Sequence, residues 1–155
     1  MTRMPEPWPD LSGRLAGGRH VLPVRVYFED TDFSGVVSHA SYLRFMERGR
    51  TDFLRLAGIG HGALDRGESD GGERLAFAVR RMTLEFLKPA RIDDLLEVET
   101  RVAEMTGARI VLQQAVRLGD ATLVTADVTV ALVDGRGRVQ RLPADMRGRL
   151  VAARA

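Results

Sequence analysis

The 155-residue sequence contains no cysteine, which excludes a disulfide framework, a thiolate nucleophile and a cysteine metal site. Lys88 is its single lysine, so the basic side chains are nearly all arginine. No hydrophobic run approaches the roughly 18 residues of a membrane-spanning helix. The N-terminal region lacks the apolar core of a signal peptide. We therefore expect a soluble, cytoplasmic protein without a transmembrane segment.

Charges of the two signs nearly balance, with 23 basic residues against 21 acidic ones. Because the arginines alternate with acidic residues and do not cluster, we expect no binding to nucleic acid. The length and the 45% hydrophobic content fit one domain with a substantial core. Residues 1–18 contain several prolines and glycines without periodicity, which predicts a flexible leader before a single domain over residues 19–150.

Apolar residues recur every three or four positions from Tyr42 onward, which predicts one amphipathic helix ended by Gly58 and Gly60. A strand is predicted before it at residues 24–28. Four more are predicted after it, at residues 75–87, 95–105, 109–118 and 122–133. We interpret the glycine-rich residues 58–74 as a flexible crossover that could form a lid. A strand, a helix and a four-stranded meander predict an α+β fold, with one antiparallel sheet wrapped around one long central helix.

The segment FEDTDFSGVVSH, residues 28–39, places three carboxylates, a glycine and a histidine between the first predicted strand and the helix. A loop there aims backbone N–H groups at whatever binds, so we expect the active site in this segment. Asp32 could act in catalysis or merely cap a turn, and His39 could orient a substrate or simply pack. Asp30 and Asp32 could hold a hard cation, but the three histidines are dispersed and we expect no metal site.

These segments resemble the hotdog-fold acyl-CoA thioesterases of the 4-hydroxybenzoyl-CoA thioesterase family, and within it the YbgC-like, Tol-Pal-associated branch. The resemblance covers about residues 20–145. It rests on VRVYFEDTD at residues 24–32, GVV at 35–37 with His39, YLRFMER at 42–48, and VRRMTLEF at 79–86 leading into PARIDD at 89–94.

The resemblance implies a single-domain hotdog fold and hydrolysis of the thioester between an acyl group and coenzyme A. Asp32 and His39 match the catalytic positions, with Asp32 as nucleophile or base. The start of the helix would polarise the thioester carbonyl, and Gly35 would let the backbone approach the substrate. No cofactor is expected, because coenzyme A is part of the substrate.

Further substrate contacts are expected from the loop and from basic side chains that could meet the phosphates of coenzyme A. Glu47, two helical turns beyond His39, is an alternative base or the partner of a neighbouring arginine in a surface ion pair. Four positions depart from the usual family pattern and affect the shape of the acyl pocket: Phe33, Ser34, Ser38 and Ser41. The expected substrate-binding residues are Gly35, Val36, Val37, Ser38, Arg80, Arg81 and Arg109.

A single sheet with one helix leaves a strand edge open, so we expect a homodimer or homotetramer. The family implies an active site at the interface between chains. Two alternatives remain. One is a non-catalytic hotdog module that binds acyl groups, or a partner such as an acyl carrier protein or a membrane-biogenesis factor. The other is a hotdog dehydratase, although the proline-rich signature of those enzymes is missing.

Overall fold

The computed structural model describes residues 10–68 and 72–154 of the chain. One long helix is accompanied by two shorter ones, and Phe28–Asp30 form a 3-10 turn. The elements are β1 (Arg14–Ala16), β2 (Arg19–Arg25), α1 (His39–Leu56), α2 (His61–Asp65), β3 (Leu75–Phe86), β4 (Leu95–Met105), β5 (Arg109–Leu118), β6 (Ala121–Asp134), β7 (Val139–Gln140) and α3 (Ala144–Ala153). None of the helices in this described part is long and apolar enough to cross a membrane.

The strands form one antiparallel sheet in the order β1-β2-β4-β5-β6-β3, with β7 beside the end of β6. Strands β4, β5 and β6 follow the predicted meander. The prediction that β3 opens this meander is wrong, because β3 pairs with β6 and not with β4. The free edge of β4 is taken by β2, paired from His20 opposite Thr100 to Arg25 opposite Leu95. The chain after β3 therefore crosses to the far side of the sheet before β4 begins.

The first predicted strand, residues 24–28, lies too far along the chain. Strand β2 ends at Arg25, and the chain then turns because the Asp30 carboxylate accepts a hydrogen bond of 2.9 Å from the Tyr27 N–H. The Asp30 N–H donates back to the Tyr27 carbonyl at 3.0 Å, which closes the 3-10 turn, and the side-chain bond stabilises this turn toward the loop that precedes α1. The β-branched and aromatic content alone could not reveal this competing turn.

A β-bulge divides β3 into two halves whose apolar residues are out of phase in the sequence. The pairing with β6 shifts between Val79 and Arg81, so Arg80 is the extra residue. Phe77 before the bulge and Met82 after it both pack toward the hydrophobic core. The bulge thus keeps one face of β3 apolar along its whole length.

Helix α1 confirms the amphipathic pattern and packs mainly on β2, β4 and β5. Phe45, Met46 and Phe53 are each at most 1% exposed. Gly49 faces the sheet so closely that a Cβ atom there would lie 2.8 Å from Val98 Cγ1. A glycine at this position therefore allows the helix to approach the sheet.

Two regions predicted to be flexible contain regular structure. Residues 1–9 of the predicted leader lie outside the described residues, whereas Arg14–Ala16 form β1 against β2. The Gly13 N–H also donates a 2.7 Å hydrogen bond to the buried Asp52 carboxylate on α1. The predicted crossover contains α2, which packs on β3. The domain boundary at residue 19 stays a prediction.

Candidate active site

The loop between the 3-10 turn and α1 is held by its own backbone. Thr31 and Val37 form an isolated antiparallel bridge, and the Asp32 N–H donates to the Val36 carbonyl at 2.9 Å. The Gly35 N–H donates back to the Asp32 carbonyl at 3.1 Å. Gly35 has a φ of 83°, in the left-handed region that favours glycine. A larger residue at position 35 would strain the turn that presents Asp32.

The Asp32 side chain is exposed, and one of its oxygens is held by the same loop. Its Oδ1 accepts hydrogen bonds from the Ser34 hydroxyl at 2.6 Å and from the Ser34 N–H at 2.8 Å. These bonds, the hydroxyl first, hold the pKa of Asp32 below its ordinary value. The carboxylate is therefore ionised at neutral pH.

Helix α1 begins without a side-chain cap. Ser38 is the N-cap residue, but its hydroxyl pairs with the Ser41 hydroxyl at 2.9 Å and caps no backbone N–H. The first N–H groups of a helix have no acceptor within the helix. Those of His39 and Ala40 are therefore available to a ligand, at the end of α1 where the dipole is positive.

A cavity of about 210 Å³ opens at this helix start. The exposed His39 ring lines it and stacks on Phe86, with centroids 4.1 Å apart and planes 22° apart. Asp32 is not part of the wall, but its backbone is bonded to Val36, which is. The remaining lining residues are Val37, Tyr42, Leu87, Lys88 and Pro89.

Tyr42 joins two walls of the cavity, a role that the sequence did not reveal. Its hydroxyl accepts a 3.0 Å hydrogen bond from the Ala90 N–H, while the Ala90 carbonyl accepts one of 2.8 Å from the Val37 N–H. Tyr42 is 2% exposed, and burial raises the pKa of its phenol above the ordinary 10.0. The helical apolar spacing identified Tyr42 as core, which is correct, but gave no sign of its hydrogen bond.

The three arginines expected to contact the substrate, Arg80, Arg81 and Arg109, do not line the cavity. Arg80 and Arg81 are exposed at the β3 bulge, and Arg109 is exposed at the start of β5. The basic residues that the fold brings to the loop are Lys88, in the cavity wall, and Arg91, which forms an isolated bridge with Val36. The sequence PAR at residues 89–91 was part of the family resemblance. Its contact with the loop, through the bridge between Arg91 and Val36, could not be predicted from the sequence.

Glu47 is exposed on α1 and lies in the wall of a second cleft, not in the cavity beside His39. The expected close ion pair with a neighbouring arginine is not formed, since none of the ion pairs within 4.0 Å among the described residues includes Glu47. No group of three or more metal-ligating side chains was found among those residues either. Glu47 therefore lies in an open cleft without a close ion pair, although it is near enough to Arg50 to raise the pKa of that guanidinium.

The family model of the thioesterase-like superfamily matches residues 26–150, which include the loop, α1 and all strands from β3 to β7. The chain belongs to this superfamily. It is 47% identical to the acyl-CoA thioester hydrolase YbgC of Escherichia coli O6:H1 over 113 residues, or 72% of this chain and 80% of that protein. The acyl-CoA thioesterase YbgC of Haemophilus influenzae is 43% identical, over 73% of this chain and 79% of that protein.

Solved structures agree with this assignment. A probable thioesterase from Bartonella henselae superposes with a TM-score of 0.78 at 47% identity, and covers 81% of this chain and 99% of its own. A hypothetical protein from Thermus thermophilus superposes with a TM-score of 0.76 at 30% identity, over 86% of this chain and 98% of its own. The predicted hotdog fold and the resemblance to the YbgC-like branch are thus confirmed.

Proposed function

We propose that this protein hydrolyses acyl-CoA thioesters to the free acid and coenzyme A. The observation that carries the proposal is the pairing of an ionised carboxylate, Asp32, with an uncapped helix start beside His39. The identity to acyl-CoA thioester hydrolases of the YbgC type over 72% of the chain supports the same reaction. We further propose a cytoplasmic location and a reaction that needs water but no added cofactor.

In this proposal the thioester carbonyl lies against the start of α1. The N–H groups of His39 and Ala40 donate to the oxygen on which negative charge develops, and the helix dipole favours that charge. Asp32 then removes a proton from a water molecule that attacks the carbonyl carbon, and the C–S bond breaks to release the thiolate of coenzyme A. Alternatively, Asp32 attacks directly and water cleaves the resulting anhydride. We assign His39 to orienting the thioester, because its ring is held on Phe86.

We assign Gly35, Val36, Val37 and Ser38 to the loop that contacts the thioester, since they connect Asp32 to the helix start. Lys88 and Arg91 are better placed than Arg80, Arg81 or Arg109 to meet the phosphates of coenzyme A on the same chain. The three arginines could serve a second copy of the chain. Both sets of basic side chains can form charge-assisted hydrogen bonds to phosphate.

We also propose that two copies associate through β3. Its pairing within the described residues uses only the edge that faces β6, so the other edge remains open. The inner face beside this edge is only partly covered, because α1 packs mainly on the other half of the sheet, and Val79 is 47% exposed. Antiparallel pairing of two β3 edges about a two-fold axis would cover both features.

The dimer is tested by Val79→Lys, with Val139→Lys on the short strand β7 as the control at a similarly exposed valine. We expect Val79→Lys to reduce the mass measured by light scattering and to reduce turnover together. A fully active monomer would contradict the interface. A wild-type mass that corresponds to four chains would show that two dimers associate into a tetramer.

The activity is tested by thiol release from short-chain, long-chain and aromatic acyl-CoAs. A thiol reagent reports product alone, because the chain contains no cysteine. Turnover of at least one acyl-CoA well above the uncatalysed rate is expected. Binding of acyl-CoA without any turnover would instead identify a non-catalytic module for an acyl group or an acyl carrier protein. In single-turnover hydrolysis in heavy-oxygen water, label in the Asp32 carboxylate would identify the anhydride route, since direct attack of water on the thioester places the label only in the released acid.

A further inference from the structure

A second cleft of about 460 Å³ lies between α1 and the inner face of the sheet, at the half of the sheet that α1 leaves open. Its floor, on the sheet, is apolar and includes Phe77, Leu112 and Val130. Its helix side is polar, with Glu47 and Arg50 on α1 and His61 at the start of α2. A concave apolar surface with a few polar groups on one side is the usual form of a site for a small organic ligand.

Arg50 is the unusual residue of this cleft, because a guanidinium is seldom buried without a close ion pair, and the nearby Glu47 carboxylate influences its pKa without forming one. Arg50 is 9% exposed, and its side chain makes one hydrogen bond within the described residues, of 3.0 Å from Nη1 to Gln114 Oε1. None of the ion pairs among those residues includes Arg50. A guanidinium has five N–H donors, and among the described residues only His20 Nδ1 is a buried side-chain atom without a partner, so the remaining donors of Arg50 are open to the cleft.

The neighbours of Arg50 fix it in place without satisfying it. Gln114 is 3% exposed, and its Nε2 donates to the Met46 carbonyl and to Thr100 Oγ1, both at 2.9 Å. The amide oxygen of Gln114 is thereby turned toward Arg50. Burial lowers the pKa of Arg50 somewhat, while the nearby Glu47 raises it. The result is a held cation with unused donors at the side of an apolar cleft.

His61 carries no charge at neutral pH and so does not attract an anionic ligand alongside Arg50. Burial is the main reason that its pKa lies below 6.5, and the positive charges of Arg55 and Arg50 lower it further. The ring lies edge-on to Phe77, with centroids 6.1 Å apart. At neutral pH, His61 is therefore an uncharged aromatic wall beside the apolar floor.

We propose that Arg50 selects acyl groups with an acceptor oxygen remote from the thioester, a terminal carboxylate or a hydroxyl oxygen, while the apolar floor holds the carbon chain between the two ends. A carboxylate matches a guanidinium best, because two parallel N–H···O bonds can form. This inference rests on the thioesterase activity proposed above and names the substrate class of the same site.

The proposed dimer brings this cleft within reach of a short acyl group. Arg50 lies eleven residues beyond His39 on α1, a rise of ~16 Å, which is too long for a short acyl group held by one chain. His39 stacks on Phe86 at one end of β3, and the cleft includes Phe77 near the other end. Antiparallel pairing of two β3 edges would place these opposite ends side by side. Each cleft then adjoins the Asp32 loop of the second copy.

The test compares kcat/KM for acyl-CoAs of equal length, with and without the terminal oxygen. Glutaryl-CoA is paired with pentanoyl-CoA, and both adipoyl-CoA and 6-hydroxyhexanoyl-CoA with hexanoyl-CoA. For the wild type we expect at least one oxygenated member to be preferred by about tenfold or more, as for one charge-assisted hydrogen bond. Arg50→Met should reduce that preference to about one, mainly through KM. The control Arg48→Met, at an exposed arginine of the same helix, should keep it.

Turnover of plain acyl-CoAs at equal or higher efficiency in the wild type would overturn the inference and leave the proposed activity intact. A preference that survives in Arg50→Met would also overturn it. If Arg50→Met does not fold, the wild-type ratios decide alone. A loss of dimer mass in Arg50→Met without a wild-type preference would show that a carboxylate of the second copy is the missing acceptor. If no acyl-CoA is turned over, the proposed function itself fails and the inference falls with it.

Discussion

Replacement of Tyr42 by phenylalanine tests how the cavity wall is held. The change removes the hydroxyl that accepts from the Ala90 N–H at 3.0 Å, and both residues are at most 2% exposed. A buried N–H that loses its acceptor costs about 1–3 kcal/mol of unfolding free energy. Tyr27→Phe is the matched control, because Tyr27 is the other tyrosine and is 62% exposed. A surface change of this kind usually alters stability by less than about 0.5 kcal/mol.

Urea unfolding measures both variants, and the slope with denaturant should be unchanged. Tyr42→Phe should also lower kcat/KM, since Ala90 accepts the hydrogen bond from Val37 in the opposite wall. Because burial raises the pKa of Tyr42, its contribution to stability is present below pH ~10 and is lost as the pH rises through the raised value. Spectroscopic titration should show one phenol that ionises late, and Tyr42→Phe should abolish it. Equal stabilities for Tyr42→Phe and Tyr27→Phe would refute the reasoning.

Three further predictions concern the loop, the helix and a buried pair. Ser34→Ala should move the acid limb of the kcat/KM profile to higher pH, because the Ser34 hydroxyl is the largest cause of the lowered pKa of Asp32; an unmoved limb would assign that limb to another group. Gly49→Ala should destabilise by about 1–3 kcal/mol in thermal or urea unfolding, since its Cβ meets the sheet at 2.8 Å, whereas Gly60→Ala, with open space around it, should not. Asp52→Ala should lower the free energy of unfolding by about 3–5 kcal/mol, because the Asp52 carboxylate lies 2.6 Å from the buried His20 ring and also accepts the Gly13 N–H. A loss below about 1 kcal/mol would show that the pair of Asp52 and His20 is replaceable.

Local patterns predicted most of the elements, because each strand and the long helix has its own periodicity. Strands β4 and β5 have the predicted bounds, and α1 ends just before the glycines that were expected to stop it. Pairing was not predictable in the same way. The position of β3 beside β6 depends on which strand takes the edge of β4, and periodicity does not encode that choice. Turn chemistry also prevailed over propensity where Asp30 ends the extended segment at Tyr27.

In the candidate site too, local features were predictable from the sequence and long-range contacts were not. The sequence predicted that Asp32, Gly35 and His39 lie close together, because a short loop between a strand and a helix stays together in any fold of this class. It could not identify Tyr42 as an anchor, since an apolar helical position does not reveal a hydrogen bond to a distant backbone. Nor could it single out Arg50 among so many arginines, because burial without a carboxylate partner is a property of the packed structure.

The most direct test of the central claim compares Asp32→Asn with Asp120→Asn in the thiol-release assay. Asparagine keeps the shape of Asp32 but can neither attack the carbonyl nor take a proton from water, so kcat should fall by at least about a hundredfold. Asp120 lies in the exposed turn after β5 and serves as the matched control. Loss of turnover in Asp32→Asn alone, with stability and oligomer mass unchanged in both variants, is the predicted result. Equal turnover by Asp32→Asn and the wild type would contradict the account and leave Glu47 as the next carboxylate to replace.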